Sequence, residues 1–274
     1  MTGDLGEEQS KPAMREPPEG DGASEARHHK ALHERLSALE SELGKGVKHG
    51  VDATFVPAWK RLSAQGETRW PVTIAIAVAL TLQANLPNRL VLGPRWLLPA
   101  LGGALFIAIF AAHPRPRIDR ASNLLRGLSL AVIATISVAN GYSAERLIDH
   151  LLRGGESDAT RLLLTGGAIW LTNVIAFALW YWDFDRGGPV QRMLATRPYP
   201  DLQFPQMENP ELAPKDWEPL FVDYLYVSFT NAMAFSPTDT MPLSRWAKLT
   251  MLLQSGVSIL LVVLVIARAV NILK

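Results

Sequence analysis

The sequence predicts an all-α fold, a multi-pass helical membrane protein with about six transmembrane helices. Of its 274 residues, 48% are hydrophobic and 19% are charged, and the charges avoid several long windows. Five windows approach the roughly 20 residues with which a helix crosses a bilayer. A soluble helix would carry charge on its outward face, and these windows do not. They are Trp70–Asn88, Trp96–Ala112, Gly127–Ala144, Leu162–Trp182 and Leu249–Ala267, with a shorter, more polar sixth at Tyr224–Thr238.

The amino-terminal part of the chain precedes the first window. Residues 1–28 are acidic and rich in proline and glycine, a composition typical of a disordered tail. Residues 29–66 are predicted to form an amphipathic cytoplasmic helical segment. Its apolar seam consists of leucines at steps of four, three and four, namely Leu32, Leu36, Leu39 and Leu43. So short a seam fits a half-exposed helix best, and it also fits a short coiled coil with a second copy or a helix on the membrane surface.

Residues 67–182 are predicted to form four transmembrane helices. The first begins at Trp70–Pro71, an aromatic residue of the membrane interface followed by a proline that the first helical turn tolerates. The second places alanine at every fourth position over Ala100–Ala112, which lets another helix approach closely. The fourth ends in the aromatic cluster Trp180–Trp182, which is typical of an anchor at the lipid headgroups.

Residues 183–218 are predicted to form a Pro-rich loop on the membrane face. Their prolines and charges indicate irregular structure outside the hydrocarbon region. A loop of this length in a folded protein is usually functional or disordered. Because Phe204, Met207 and Trp217 offer apolar side chains for docking, we expect the loop to be partly ordered.

Lysine and arginine residues near the ends of the spans predict the orientation. With six spans and a cytoplasmic amino terminus, the twelve inside are Lys60, Arg61, Arg69, Arg115, Arg117, Arg120, Arg126, Arg186, Arg192, Arg197, Arg268 and Lys274. The seven outside are Arg89, Arg95, Arg146, Arg153, Arg161, Arg245 and Lys248. Basic residues favour the cytoplasmic side, so a cytoplasmic amino terminus is predicted.

Residues 219–274 are predicted to form a transmembrane or re-entrant helix, a turn, and the final transmembrane helix. The candidate pore or polar-hairpin residues are Asp223, Ser228, Thr230, Asn231, Ser236, Thr238 and Asp239. Uncharged polar groups within spans commonly bond to neighbouring helices, and they also line pores. A carboxylate near an interface is ordinary as a cap, although an ionisable residue within a span suggests function. The run from Ser236 to Asp239 fits a turn with a helix cap as well as an ion site.

Two paths through the membrane are open to Pro219–Ser236. A full crossing agrees with the charge bias. A re-entrant helix that enters from outside would need an extracellular amino terminus, and it would have to be shielded by protein or water. The full crossing is therefore the preferred prediction.

The carboxy-terminal third of the chain resembles a family of uncharacterised bacterial multi-pass membrane proteins. The resemblance rests on the segments "FALWYWDFDRGGP", "LQFPQMENPELAP", "FVDYLYVSFTNAMAFSPTDTMPLSRWAK" and "ARAVNIL". It implies a place in the bacterial cytoplasmic membrane. No established activity comes with it.

The hairpin also resembles a potassium-channel pore region. Ser228 matches the serine of the pore helix, and Asp239 matches the aspartate that follows the filter. Pro242 and Lys248 match the proline and the basic residue before the inner helix. The filter glycines, which let successive carbonyls point at the ion, are replaced over Ala234–Thr238. The resemblance thus implies a channel-like hairpin without the usual potassium selectivity.

The sequence shows no constellation for catalysis, so we expect no enzyme activity, no catalytic or metal-ligating residues and no cofactor. The chain has no cysteine, and His29 and His33 lack the glutamate of a zinc-protease motif. We expect an integral membrane protein of channel-like or permeation-related function. The alternative is a non-catalytic membrane scaffold or sensor that acts through the amino-terminal helix and the long loop. The expected partners are the lipid bilayer and further copies of the chain in a homo-oligomer, and not nucleic acid.

Overall fold

The computed structural model describes residues 30, 35, 37, 67–94, 96–112, 123–155, 157–233 and 239–273. The chain divides into two compact units, Met1–Phe55 and Val56–Lys274. In the first unit the three described residues are helical. The predicted disordered tail and the leucine seam lie outside the described residues.

The second unit is mostly helical in its described ranges. Its helices and strands, in chain order, are α1 (Trp70–Ala84), α2 (Leu97–Ala112), α3 (Asn123–Leu152), α4 (Ala159–Phe184), α5 (Pro189–Met193), β1 (Leu202–Gln203), α6 (Pro205–Glu208), α7 (Phe221–Met233), β2 (Met241–Pro242) and α8 (Arg245–Ile272). Single 3₁₀ turns are found at Asn88–Leu90, Asp185–Gly187 and Pro210–Leu212. The predicted all-helical character is thus confirmed, apart from one two-residue strand pair.

Three of the described helices, α3, α4 and α8, are long and apolar enough to cross a membrane. Helix α1 is apolar but has 15 residues, which at 1.5 Å per residue span about 23 Å of a hydrocarbon core about 30 Å thick. Helix α2 has 16 residues. The expected count of about six spans is therefore not confirmed.

One end of the helix bundle, called the loop end below, holds the end of α4 and the starts of α1 and α7. The backbone N–H of Phe221, the first residue of α7, donates to the Glu67 carboxylate shortly before α1 (2.6 Å). The Tyr224 hydroxyl, in the first turn of α7, donates to Asp185 directly after α4 (2.7 Å). Helix α7 therefore begins at the loop end.

Helix α8 begins at the same end. Strand β2, just before α8, pairs in antiparallel register with β1, in the segment that follows α4. The indole N–H of Trp246, in the first turn of α8, donates to the Asp201 carboxylate (2.8 Å). Both α7 and α8 therefore run from the loop end towards the other end, called the far end, and both are antiparallel to α4.

This direction differs from the full crossing that we expected for Pro219–Ser236. A helix that crossed completely would deliver the chain to the far end, whereas the chain is back at the loop end at Met241–Pro242. Helix α7 has 13 residues, about 20 Å of helix. The geometry is that of a half-length helix that enters the bundle from the loop end, as the re-entrant alternative requires, whereas the entry from outside that accompanied this alternative stays a prediction.

Within the described ranges, the buried apolar side chains form two clusters, one for each half of the bundle. The loop-end cluster joins α1, α3, α4, α7 and α8 with β1 and α6, and it includes Phe204 and Met207. The far-end cluster joins the segment after α1 with the end of α3, the start of α4 and the end of α8. Helix α7 contributes no residue to the far-end cluster, as its half length requires.

The chain leaves α4 through three consecutive residues with positive φ. Arg186 has φ 52°, Gly187 φ 85° and Gly188 φ 99°. A Cβ atom on Gly188 would lie 2.8 Å from the Asp183 carbonyl oxygen. Both the positive φ and this close contact therefore require glycine at position 188. Pro189 then begins α5 in the first helical turn, where its missing N–H costs nothing. The predicted loop is thus folded over its whole length, with short helices and a strand.

Candidate functional site

Helix α7 is held between α4 and α8 by buried side-chain hydrogen bonds, called the polar seam below. Ser228, which is fully buried, donates its hydroxyl proton to the carbonyl of Val174 on α4 (2.6 Å). The Gln254 side chain on α8 donates both to the Ser228 hydroxyl (2.7 Å) and to the Ser228 carbonyl (2.9 Å). One serine thus joins three helices.

Gln254 is the centre of the polar seam. Its side-chain oxygen accepts from the Tyr181 hydroxyl of α4 (2.6 Å) and from the Asn231 amide of α7 (2.8 Å). Together with the two bonds that its amide donates to Ser228, all of its hydrogen-bonding capacity is used. A buried amide is tolerated in an apolar bundle only when it is paired in this way.

Asn231, near the end of α7, completes the polar seam through its bonds to α8. Its amide also donates to the Met251 carbonyl (3.0 Å), and its side-chain oxygen accepts from the Ser255 hydroxyl (3.1 Å). Of the residues predicted for the hairpin site, the structure therefore brings Ser228 and Asn231 together in one network. Both contact neighbouring helices.

The other predicted site residues lie apart from the polar seam. Thr230 is half-buried and donates to the Tyr226 carbonyl of its own helix (2.9 Å). The Asp223 carboxylate accepts from the backbone N–H of Leu220 (2.8 Å), which is a cap at the start of α7. Asp239 is exposed just before β2. The remaining two, Ser236 and Thr238, lie outside the described residues.

A second network, called the charged cap below, closes the loop end. Asp185 is fully buried and accepts from the backbone N–H groups of Asp201 (2.8 Å) and Leu202 (3.2 Å) as well as from the Tyr224 hydroxyl. The backbone N–H of Arg186 in turn donates to the Asp201 carboxylate (2.9 Å). These bonds tie the loop of residues 183–218 to the end of α4 and the start of α7.

Arg192 and Glu67 form the other half of the charged cap. The Arg192 guanidinium donates to the carbonyls of Trp182 and Asp185, and it lies 3.7 Å from the Glu67 carboxylate. It also stacks over the Tyr224 ring, 5.0 Å from the centroid. Glu67 accepts from the Trp182 indole (2.7 Å) and from the backbone of Phe221, so one carboxylate joins α1, α4 and α7.

Burial and charge act in opposite directions on this pair. Burial raises the pKa of Glu67, and the nearby Arg192 guanidinium opposes the rise without cancelling it. Burial also acts to lower the pKa of Arg192, but Tyr224, Asp185 and Glu67 outweigh it, so that this pKa is raised. Arg192 therefore stays charged, and its role is to neutralise the carboxylates around it.

Five residues of the two networks were not expected from the sequence, namely Gln254, Tyr181, Glu67, Asp185 and Arg192. Gln254 carries a detectable signal, since it is the one amide side chain in the apolar window Leu249–Ala267. The two glycines that follow Arg186 signal the tight turn. Nothing local marks Glu67, whose partners lie 115 and 154 residues away along the chain.

Among the described residues there is no group of three or more histidine, cysteine, aspartate or glutamate side chains that could hold a metal ion. Comparison with protein-family models, with curated proteins and with solved structures gives no match. The polar seam, the charged cap and the half-length helix are therefore the features of this protein that bear on its function.

Proposed function

We propose that this protein is a permeation-related integral membrane protein of the bacterial cytoplasmic membrane, which acts as a homo-oligomer and without enzymatic chemistry. In this proposal α4, α7 and α8 are the outer helix, the re-entrant helix and the inner helix of a pore-loop hairpin. The observation that carries it is that α7 and α8 start at the same end of the bundle while α7 stops after 13 residues.

A helix that ends within the membrane creates a polar point at that depth. The last four carbonyls of a helix lack partners within it, and the macrodipole places partial negative charge there. Hydrocarbon cannot satisfy such groups, so irregular backbone at this depth is tolerated only against protein or a water-filled path. The end of α7 is therefore suited to stabilise a cation part-way across the membrane.

The polar seam serves this arrangement by fixing the depth of α7. Ser228 and Asn231 act as positioning residues because their side chains bond to α4 and α8. The face of α7 that points away from these helices carries the exposed Tyr226 and Met233 and, between them, the half-buried Thr230. In a homo-oligomer this face meets the neighbouring copies or the path, so Thr230 is the described hairpin residue that we assign to the path.

The charge bias is compatible with the re-entrant path. In the six-span count, Arg245 and Lys248 lie opposite the amino terminus, and Arg268 and Lys274 lie on its side. If the chain after α7 returns to the loop end, these two pairs exchange sides. The ratio of twelve to seven is unchanged, and it places the loop end and the amino terminus in the cytoplasm. We therefore propose that α7 enters from the cytoplasmic side and that the carboxy terminus lies outside.

A scaffold or sensor is the second candidate function. It is favoured by the folded loop, which presents two large, strongly exposed side chains, Tyr199 and Leu212, with 82% and 81% of their surface accessible. Such side chains on an ordered segment suit docking of a protein partner. This function requires no ion flux.

The path of α7 is tested with topology reporters placed after Ala195, Asp239 and Lys274. We expect the first two on the cytoplasmic side and the third outside. A full crossing would instead place the reporter after Asp239 opposite the other two, and that result would refute the pore-loop hairpin.

Permeation is tested by ion flux into liposomes that contain the purified full-length chain. We expect flux that changes in Thr230→Ala and not in the matched control Thr250→Ala, because both threonines donate to the carbonyl four residues earlier but Thr250 lies on α8. Normal reconstitution without flux under gradients of potassium, sodium or chloride would contradict permeation and leave the scaffold.

A further inference from the structure

The half length of α7 leaves a groove between α4 and α8 in the far half of the bundle. Its walls include Leu163, Gly167 and Trp170 on α4 and Leu261 and Ile266 on α8, and Met233 at the end of α7 lies at its top. The groove has a volume of about 250 Å³ and an almost wholly apolar lining. It occupies the place that the second half of a full-length α7 would fill.

Two adjacent glycines shape the groove. A Cβ atom on Gly166 would lie 2.8 Å from the Val265 side chain, so this glycine lets α4 and α8 touch. A Cβ atom on Gly167 would meet no heavy atom within 4 Å, so this glycine leaves the groove open. Any larger residue at position 167 would project into the open space.

We propose that the groove binds one acyl chain of a membrane lipid from the leaflet at the far end. Both walls belong to helices that are long and apolar enough to cross a membrane, so hydrocarbon is the medium into which the groove opens. An empty groove would forfeit the dispersion contacts of its lining, and water gains nothing in an apolar site. The bound acyl chain would contact Met233 and so support the end of α7 from the far half of the bundle.

An extended acyl chain is a single file of methylene groups, which suits a narrow groove with apolar walls such as Leu163, Leu261 and Ile266. A helix of a second copy is the competing occupant, and the protein-to-lipid ratio in the test below distinguishes it from lipid. This inference holds whether or not the protein conducts ions.

The test uses Trp170, whose side chain lines the groove, as a fluorescent probe of its occupant. Full-length protein is reconstituted in vesicles of phosphatidylcholine with or without bromine atoms on the acyl chains, since bromine quenches indole on contact. The emission of Trp170 is the difference between the wild type and Trp170→Phe. We expect this emission to be lost in brominated vesicles at every protein-to-lipid ratio.

Two variants separate a bound acyl chain from ordinary surrounding lipid. Gly167→Leu fills the groove, and we expect it to restore Trp170 emission in brominated vesicles. Gly256→Leu is the matched control on the exposed side of α8, where an added Cβ atom also meets nothing within 4 Å, and we expect it to leave the quenching unchanged. Both must keep the helical circular dichroism of the wild type.

Three results would overturn the proposal. Trp170 emission that is equal in brominated and plain vesicles would show that no acyl chain reaches the groove. Quenching that persists in Gly167→Leu would show surrounding lipid only. Quenching that disappears as the protein-to-lipid ratio rises would show that a second copy is the occupant.

Discussion

The two halves of the helix bundle are held together by different interactions. In the loop-end half, buried polar and charged groups such as Asp185, Arg192, Ser228 and Gln254 join the helices. In the far half, α3, α4 and α8 meet mainly through apolar side chains and through the close approach of α4 to α8 at Gly166. The contrast follows the length of α7, which is present in one half only.

This difference shows what a half-length helix requires in a membrane. Lipid tails are as apolar as the helix surfaces, so apolar contact alone selects neither the depth nor the rotation of a helix. A helix that crosses fully is positioned by its two ends at the interfaces. In the proposed re-entrant arrangement α7 has one such end, and the polar seam replaces the other.

Arg192→Met should lower the free energy of unfolding more than any other single change proposed here, because it removes the positive charge of the charged cap in the loop-end half. Loss of one partner from a buried pair costs about 3–5 kcal/mol of the free energy of unfolding. We expect a loss of this size in detergent, measured by denaturant unfolding. The double variant Arg192→Met with Glu67→Gln should recover part of it, because the unpaired carboxylate is gone. Two effects that simply add would contradict the coupling.

Gln254→Leu should have the next largest effect, because it breaks the polar seam while keeping α8 apolar. The Tyr181 hydroxyl and one amide N–H of Asn231 lose their acceptor, and Ser228 loses a donor. Gln254 makes four interhelical hydrogen bonds, and at about 0.6 kcal/mol each we expect a loss of about 2–3 kcal/mol. Leu261→Ala in the far half is the contrasting variant, since it opens an apolar cavity without leaving an unpaired polar group.

Amide hydrogen exchange distinguishes the two variants. We expect Gln254→Leu to speed exchange in α7 and Leu261→Ala to leave α7 protected, because α7 is absent from the far-end cluster. Equal exchange in α7 for both variants would show that the two halves are not held independently.

Gly188→Ala should cause the smallest of the three losses of stability. Its effect is confined to the segment where the chain leaves α4. Alanine at φ 99° is strained by about 1–3 kcal/mol, and its Cβ atom would press on the Asp183 carbonyl. The matched control is Gly141→Ala within α3, where no atom lies within 4 Å of the new Cβ. It should stabilise the helix by about 0.5–1 kcal/mol. Thermal unfolding in detergent measures both, and equal shifts would contradict the strain.

The candidate site was predictable to the extent that its chemistry is local. The concentration of polar residues before the last span indicated that Ser228 and Asn231 matter, and the prolines and charges after Trp182 indicated that the fourth helix gives way to irregular structure. The partners of these residues were not predictable. Gln254 accepts from Tyr181 across 73 positions of the chain, and no periodicity within either helix indicates that they meet.

The sequence by itself determined that the protein is helical and that α3, α4 and α8 are apolar enough for a membrane, because helix length and hydropathy are properties of single segments. Gly187 and Gly188 permit the turn after α4, because glycine adopts positive φ values without strain, but the φ values themselves come from the structure. Only the tertiary structure decided the direction of α7. The sequence of a short helix does not set its direction through a bundle. The bonds from Phe221 to Glu67 and from Tyr224 to Asp185 hold the start of α7 at the loop end.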